Sequence, residues 1–150
     1  MMSTYTQILY QIVFGTKNRE RTLTTEHRKE LFKYIWGTLQ NKKCHLYQMN
    51  GVEDHIHILT HLHPSVSLAD LVKDIILAST KFIKKNNNIF PLFSSWQNGY
   101  GAFTYSIDRK DVLINYIKNQ EKHHRIKTFR KEYIELLQEH GIEFEEKYLL

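Results

Sequence analysis

Two short stretches carry residue types that can do chemistry. The first is Asp54-His55-Ile56-His57-Ile58-Leu59, a pair of histidines one residue apart inside an apolar, β-branched run. Side chains alternate between the faces of a strand. His55 and His57 therefore share one face, and Ile56 and Ile58 turn to the other, toward a core. Neutral imidazole is a common ligand of divalent metals, so the pair supplies half of a metal site. The chain has 9 histidines, and such pairs also arise by chance. The second stretch is Asn115-Tyr116-Ile117-Lys118-Asn119-Gln120. Read as helix, it places Tyr116 and Gln120 one turn apart on one face. A glutamine oxygen suits hard cations such as magnesium and manganese, and a tyrosine hydroxyl can act as a covalent nucleophile. On spacing alone, the plainer reading of this pair is the semi-polar edge of a packed helix.

The rest of the pattern supplies elements to position these groups. Residues 7–14 read as a first strand, in which Ile8, Tyr10, Ile12 and Phe14 form an apolar face and Gln7, Leu9, Gln11 and Val13 a mixed one. Gly15 ends it before a charged loop holding Lys17, Arg19 and Arg21. Thr24 or Thr25 can cap a helix running to residue 40, with Leu31, Phe32, Ile35 and Leu39 facing the core and Tyr34 and Trp36 packing beside them. Residues 45–49 and 55–61 read as a hairpin turned at Asn50-Gly51. His61 and His63 form a rival pair, which Pro64 assigns to a solvated strand end. Ser67-Leu68-Ala69-Asp70 resembles a capping box and opens a second helix to residue 84. A loop rich in aromatics follows, and its Gly99-Tyr100-Gly101 suggests unusual backbone or close approach of another segment. A short strand over 102–106 leads to a third helix, capped by Asp108, that carries Tyr116 and Gln120. A last helix over 128–138 stops at His140-Gly141.

The order β-α-β-β-α-β, then helices, is the split βαβ, ferredoxin-like (RRM-like) arrangement of an α+β protein. It predicts a four-stranded antiparallel sheet with helices on one face, the other face free for a site, and additional C-terminal helices. Without repeats or a linker, residues 1–150 read as one domain. The net charge of +5 and pI of about 9.2 favour a polyanionic partner. Lys73, Lys81 and Lys84, with Arg125, Lys127, Arg130 and Lys131, are candidate phosphate contacts, although a solvated face is the default for such residues. The single cysteine, Cys44, suits a reducing cytoplasm. No signal-peptide pattern and no apolar run of membrane-spanning length is present, so a soluble, cytoplasmic protein is expected.

Taken together, the motifs resemble the single-tyrosine transposases of bacterial insertion sequences, family 200/605. His55-Ile56-His57 is similar to the His-hydrophobic-His (HUH) signature of single-strand endonucleases. Asp54-His55-Ile56-His57-Ile58-Leu59 with Ser67-Leu68-Ala69-Asp70-Leu71-Val72-Lys73, Trp96-Gln97-Asn98-Gly99-Tyr100-Gly101-Ala102-Phe103, and Tyr116-Ile117-Lys118-Asn119-Gln120-Glu121-Lys122-His123-His124 are similar to that family in order. So are Thr128-Phe129, Glu132-Tyr133 and Gly141-Ile142-Glu143-Phe144. The resemblance implies that His55, His57 and Gln120 bind Mg2+ or Mn2+ and that Tyr116 is the nucleophile. The tyrosine would attack single-stranded DNA, form a 5′-phosphotyrosine link and release a 3′-hydroxyl, and another end would reverse the step. It also implies a homodimer that recognises hairpins at transposon ends. A tyrosine with its ordinary pKa of about 10 needs help to lose its proton, and nothing in the sequence singles out the helping group.

Two other readings compete. A ferredoxin-like sheet can bind single-stranded nucleic acid without cutting it, by stacking bases on aromatics. The Gln7, Leu9, Gln11, Val13 face carries no aromatic platform, which counts against this binding module. A zinc hydrolase or structural zinc protein is disfavoured because glutamine is a poor zinc ligand and no Cys-x-x-Cys or His-Glu-x-x-His occurs.

Overall fold

Strand β1 (Leu9–Gly15) is the element on which both layers of the protein are built. The computed structural model describes residues 3–149. In it β1 lies inside a four-stranded antiparallel sheet of order β2-β3-β1-β4, with β2 at His45–Gly51, β3 at His55–His61 and β4 at Gly101–Tyr105. The register pairs Ile12 with Ile58, Val13 with His57 and Gly15 with His55.

Alternation divides β1 and β3 between two cores. Ile12, Phe14, Ile56 and Ile58 are almost wholly buried on one face, under α1 (Thr25–Asn41) and α2 (Leu68–Lys85). Full burial of such a side chain stabilises by roughly 2 kcal/mol, so this face anchors the fold. α2 starts as its sequence predicts, with the Ser67 hydroxyl accepting from the Asp70 amide at 3.1 Å. The opposite face is not open. Leu9, Leu59, Leu113 and Ile117 form a second cluster, and Val13, Phe103, Phe129, Leu136 and Leu137 a third. These clusters bring α3 (Lys110–Lys118) and α5 (Phe129–Glu139) over the sheet, with α4 (Gln120–His124) between them in sequence. The C-terminal helices thus cover the face that the ferredoxin-like order alone leaves free.

Several expectations shift locally. Asn50 and Gly51 belong to β2 rather than to a turn, and the chain reverses over residues 52–54. Asp108 does not cap α3; it lies in the 3-10 turn Ile107–Arg109, bonded to the Ser106 hydroxyl. Tyr34 stacks on Phe82 with ring centres 4.5 Å apart, whereas Trp36 stays 46% exposed. The His61 ring accepts from the Ile8 amide at the sheet rim. Gly99 takes φ +88 and Gly141 φ +64, the left-handed values that glycine adopts without strain. Among the described residues no helix is long and apolar enough to cross a membrane.

Candidate active site

His55 and His57 sit side by side on β3, fully buried, on the face covered by α3 to α5. Each ring is held from behind. His55 Nδ1 lies 2.7 Å from Asp54 Oδ1, and His57 Nδ1 lies 2.7 Å from Gln11 Oε1. Gln11 comes from the mixed face of β1, diagonally across the strand pair, and its amide nitrogen donates to the Tyr105 hydroxyl at 2.9 Å. Phe129 stacks flat on His55, ring centres 3.9 Å apart with planes 1° from parallel. Gly15, opposite His55 in the register, makes room for it: a Cβ there would lie 2.9 Å from the Phe129 ring.

The structure brings Tyr116 and Gln120 to the same place, but on two helices rather than one. α3 ends at Lys118 and α4 begins at Gln120. The cause is Asn50 on β2, whose side-chain amide donates to the carbonyls of Ile117 and Lys118 at 3.0 Å each. Those carbonyls are the acceptors a continuous helix would use for its next turn, so α3 is capped from the side. Gln120 is fully buried, with Oε1 3.3 Å from His55 Nε2.

Two residues outside the sequence-derived candidates complete the cluster. Glu132 on α5 is 2% exposed. Its Oε1 lies 3.0 Å from His57 Nε2, 3.1 Å from His124 Nε2 and 3.4 Å from His55 Nε2. Its Oε2 accepts from the Tyr116 hydroxyl and, at 3.2 Å, from the Gln120 amide nitrogen. His124 Nε2 is also 3.1 Å from Gln120 Oε1. Ligand-capable atoms of His55, His57, His124 and Glu132 all lie within 4.8 Å of one another, a group able to hold a metal ion. A local signal for His124 did exist, since Gln120 and His124 are four apart on one helix. Glu132 had none: its contact with His57 spans 75 positions.

Burial and charge set the protonation states. Burial raises the Glu132 pKa, yet the hydrogen bonds from His124, His55 and His57 outweigh it and hold the carboxyl well below its ordinary range. Burial holds His57 toward the neutral form. For His55, burial pulls the same way but is outweighed by Asp54 and Glu132, so its pKa is raised. The Tyr116 phenol is pushed above its ordinary range by burial and then by the Glu132 charge.

The candidate phosphate contacts fall into two separate groups. Lys73, Lys81 and Lys84 are exposed on α2, behind the sheet as seen from the histidines. Arg125, Lys127, Arg130 and Lys131 lie on the site's side. Lys127 borders a cleft of about 170 Å3 that reaches Tyr116 and Glu132, and pairs with Glu135. Arg130 borders another, of about 380 Å3, shared with Arg19, Arg21, Asp54 and His124.

The family profile described as "Transposase IS200 like" matches residues 4–120. No curated protein sequence matches the chain. Among solved structures, the fold is similar to that of a candidate transposase from Deinococcus radiodurans R1, with a TM-score of 0.64 at 21% identity, covering 80% of this chain and 95% of that one. It is also similar to a REP-associated tyrosine transposase bound to a REP hairpin, with a TM-score of 0.62 at 15% identity, covering 82% and 74%. The profile spans most of the chain and includes His55, His57, Tyr116 and Gln120, and on that match the protein belongs to the IS200-like transposase family.

Proposed function

We propose that this protein cuts and rejoins single-stranded DNA at the ends of an insertion sequence, with Tyr116 as nucleophile and a divalent ion, Mg2+ or Mn2+, held by His55, His57 and Gln120. One observation carries the reading. The only tyrosine hydroxyl bonded to Glu132 among the described residues is that of Tyr116, and Glu132 in turn touches both histidines of the pair. The donor set fits the ion: buried imidazole nitrogens and amide and carboxylate oxygens converge from β3, α4 and α5.

In the proposed reaction the Tyr116 oxygen attacks a phosphodiester phosphorus in line, and the bond from phosphorus to the 3′-oxygen breaks. The DNA downstream of the cut keeps the phosphate as a 5′-phosphotyrosine, and the upstream strand leaves through its 3′-oxygen, which takes a proton from solvent to become a 3′-hydroxyl. An incoming 3′-hydroxyl reverses the exchange without water, so the phosphoester bond energy is kept. The Tyr116 proton must go elsewhere, and Glu132 Oε2 is the oxygen positioned to receive it. A divalent ion held by His55, His57 and Gln120 would supply charge compensation for the phosphate and would make a phenolate less costly beside Glu132. Asp54, Gln11 and Phe129 keep the two imidazoles oriented.

The substrate is proposed to be single-stranded DNA carrying a hairpin, and the working form a homodimer in the cytoplasm. The net charge of +5 and the hairpin bound by the REP-associated relative support the DNA part. The test is incubation with labelled single-stranded DNA bearing the element's end and Mg2+ or Mn2+, followed by a denaturing gel. A protein–DNA adduct is expected, lost with chelator and abolished in Tyr116→Phe, which has no hydroxyl to form the link. Binding without any adduct would instead leave a non-cleaving nucleic-acid-binding module.

A further inference from the structure

The histidine cluster contains a conflict that protons do not resolve well. Asp54 and the Gln11 carbonyl oxygen can only accept, so His55 and His57 must each carry a proton on Nδ1. A neutral ring protonated there has its lone pair on Nε2. Both Nε2 atoms point at Glu132 Oε1, from 3.4 and 3.0 Å, and His124 Nε2 meets the same oxygen at 3.1 Å. Three imidazole nitrogens thus crowd onto one carboxylate oxygen, with the His55 and His57 ring centres 5.1 Å apart and both rings fully buried. One cation among the atoms would satisfy every lone pair at once.

The separations are also those of a coordination shell. Ligand atoms about 2.1 Å from an ion stand about 3.0 Å apart along octahedral edges and about 3.4 Å along tetrahedral ones. The contacts of the two oxygens with the imidazoles run from 3.0 to 3.4 Å, including 3.3 and 3.1 Å from Gln120 Oε1 to the Nε2 atoms of His55 and His124, and the ligand atoms of the three histidines and Glu132 all lie within 4.8 Å of one another. Lone pairs that converge at that spacing, with their outer nitrogens tied down, make a built site rather than a chance cluster.

We propose that His124 and Glu132 are ligands of the divalent ion alongside His55, His57 and Gln120, and that this three-imidazole, two-oxygen set selects a first-row transition ion such as Mn2+ over Mg2+. The inference rests on the metal site of the proposed function and extends it. Imidazole is a weak partner for Mg2+, which prefers oxygen and water. Glu132 then serves two partners at once. Its Oε1 faces the ion and its Oε2 holds the Tyr116 hydroxyl, so nucleophile and ion share one carboxylate.

The test is Mn2+ binding to the DNA-free protein, followed by electron paramagnetic resonance, with pulsed measurements counting the imidazole nitrogens on the bound ion. The wild type should bind one Mn2+ with three such nitrogens. His124→Ala should show two and bind roughly tenfold or more weakly, and Glu132→Gln should weaken binding by a similar factor. Mg2+ should compete only at about a hundredfold excess. Two nitrogens in the wild type would overturn the ligand set without reference to any variant, as would unchanged affinity in both variants. Equal competition by Mg2+ would overturn the selectivity. Three nitrogens on Mn2+ together with no DNA adduct would support the ligand assignment and sink the strand-transfer reading instead.

Discussion

Gln11 stands one residue back from the proposed metal ligands, behind His57. Its carbonyl oxygen fixes the proton of His57 on Nδ1 and so aims Nε2 at the cluster. Gln11→Leu keeps the volume and the strand but releases that ring. Mn2+ affinity should fall about 10- to 100-fold with the fold intact by circular dichroism; unchanged affinity in a calorimetric titration would show that packing alone orients His57. The strand repeat makes the His55 and His57 pair legible in the sequence, whereas spacing alone reads Tyr116 and Gln120 as a packed helix edge and only the resemblance singles them out. His124 has the same helical spacing from Gln120. Glu132 is not legible, because its position follows from how α5 lies across the sheet, and no local period encodes that.

α5 is attached to the site through Glu132 and, at its first residue, through Phe129. Phe129 fills the space left by Gly15 and stacks on His55, while the Thr128 hydroxyl caps the helix by accepting from the Lys131 amide at 3.2 Å. Phe129→Ala should cost about 3–5 kcal/mol in urea unfolding and loosen the cluster as well. Ser67→Ala, at the far cap of α2, should cost about 1 kcal/mol while adduct yield per folded molecule stays the same. Equal damage to yield from both would mean the site depends only on overall stability. At this scale the elements are legible to within a few residues, from apolar periods and capping residues. The break between α3 and α4 is not. Asn119 sits in an unbroken polar-apolar pattern, and the residue that ends α3 is Asn50, on a strand distant in sequence.

Across the whole molecule, the sheet separates the two basic groups. Lys73, Lys81 and Lys84 stand on the α1–α2 side, and Arg125, Arg130 and Lys131 on the side of the histidines. Alanine at Arg125, Arg130 and Lys131 should lower the salt dependence of short single-strand binding by about 0.7 for each phosphate no longer neutralised. Alanine at the three α2 lysines should leave that slope alone and lower the slope for a hairpin by about 0.9 for each such phosphate. Equal slopes for both variants on both DNAs, read from affinity against salt, would remove this division of labour. The four-stranded order is legible from the succession of strands and helices, but the covering of the second face is not, because α3 and α5 need long-range contacts to choose it. β1 serves both faces: Ile12 and Phe14 enter one core, while Gln11 and Val13 enter the layer of the site. A slip of one residue against β3 would bury Gln11 among the aliphatics and turn Ile12 toward His57. Misregistered chains are therefore poorly packed as well as inert, and quality control that removes unstable chains removes the inactive ones with them. The specific activity of a preparation should then report its folded fraction directly.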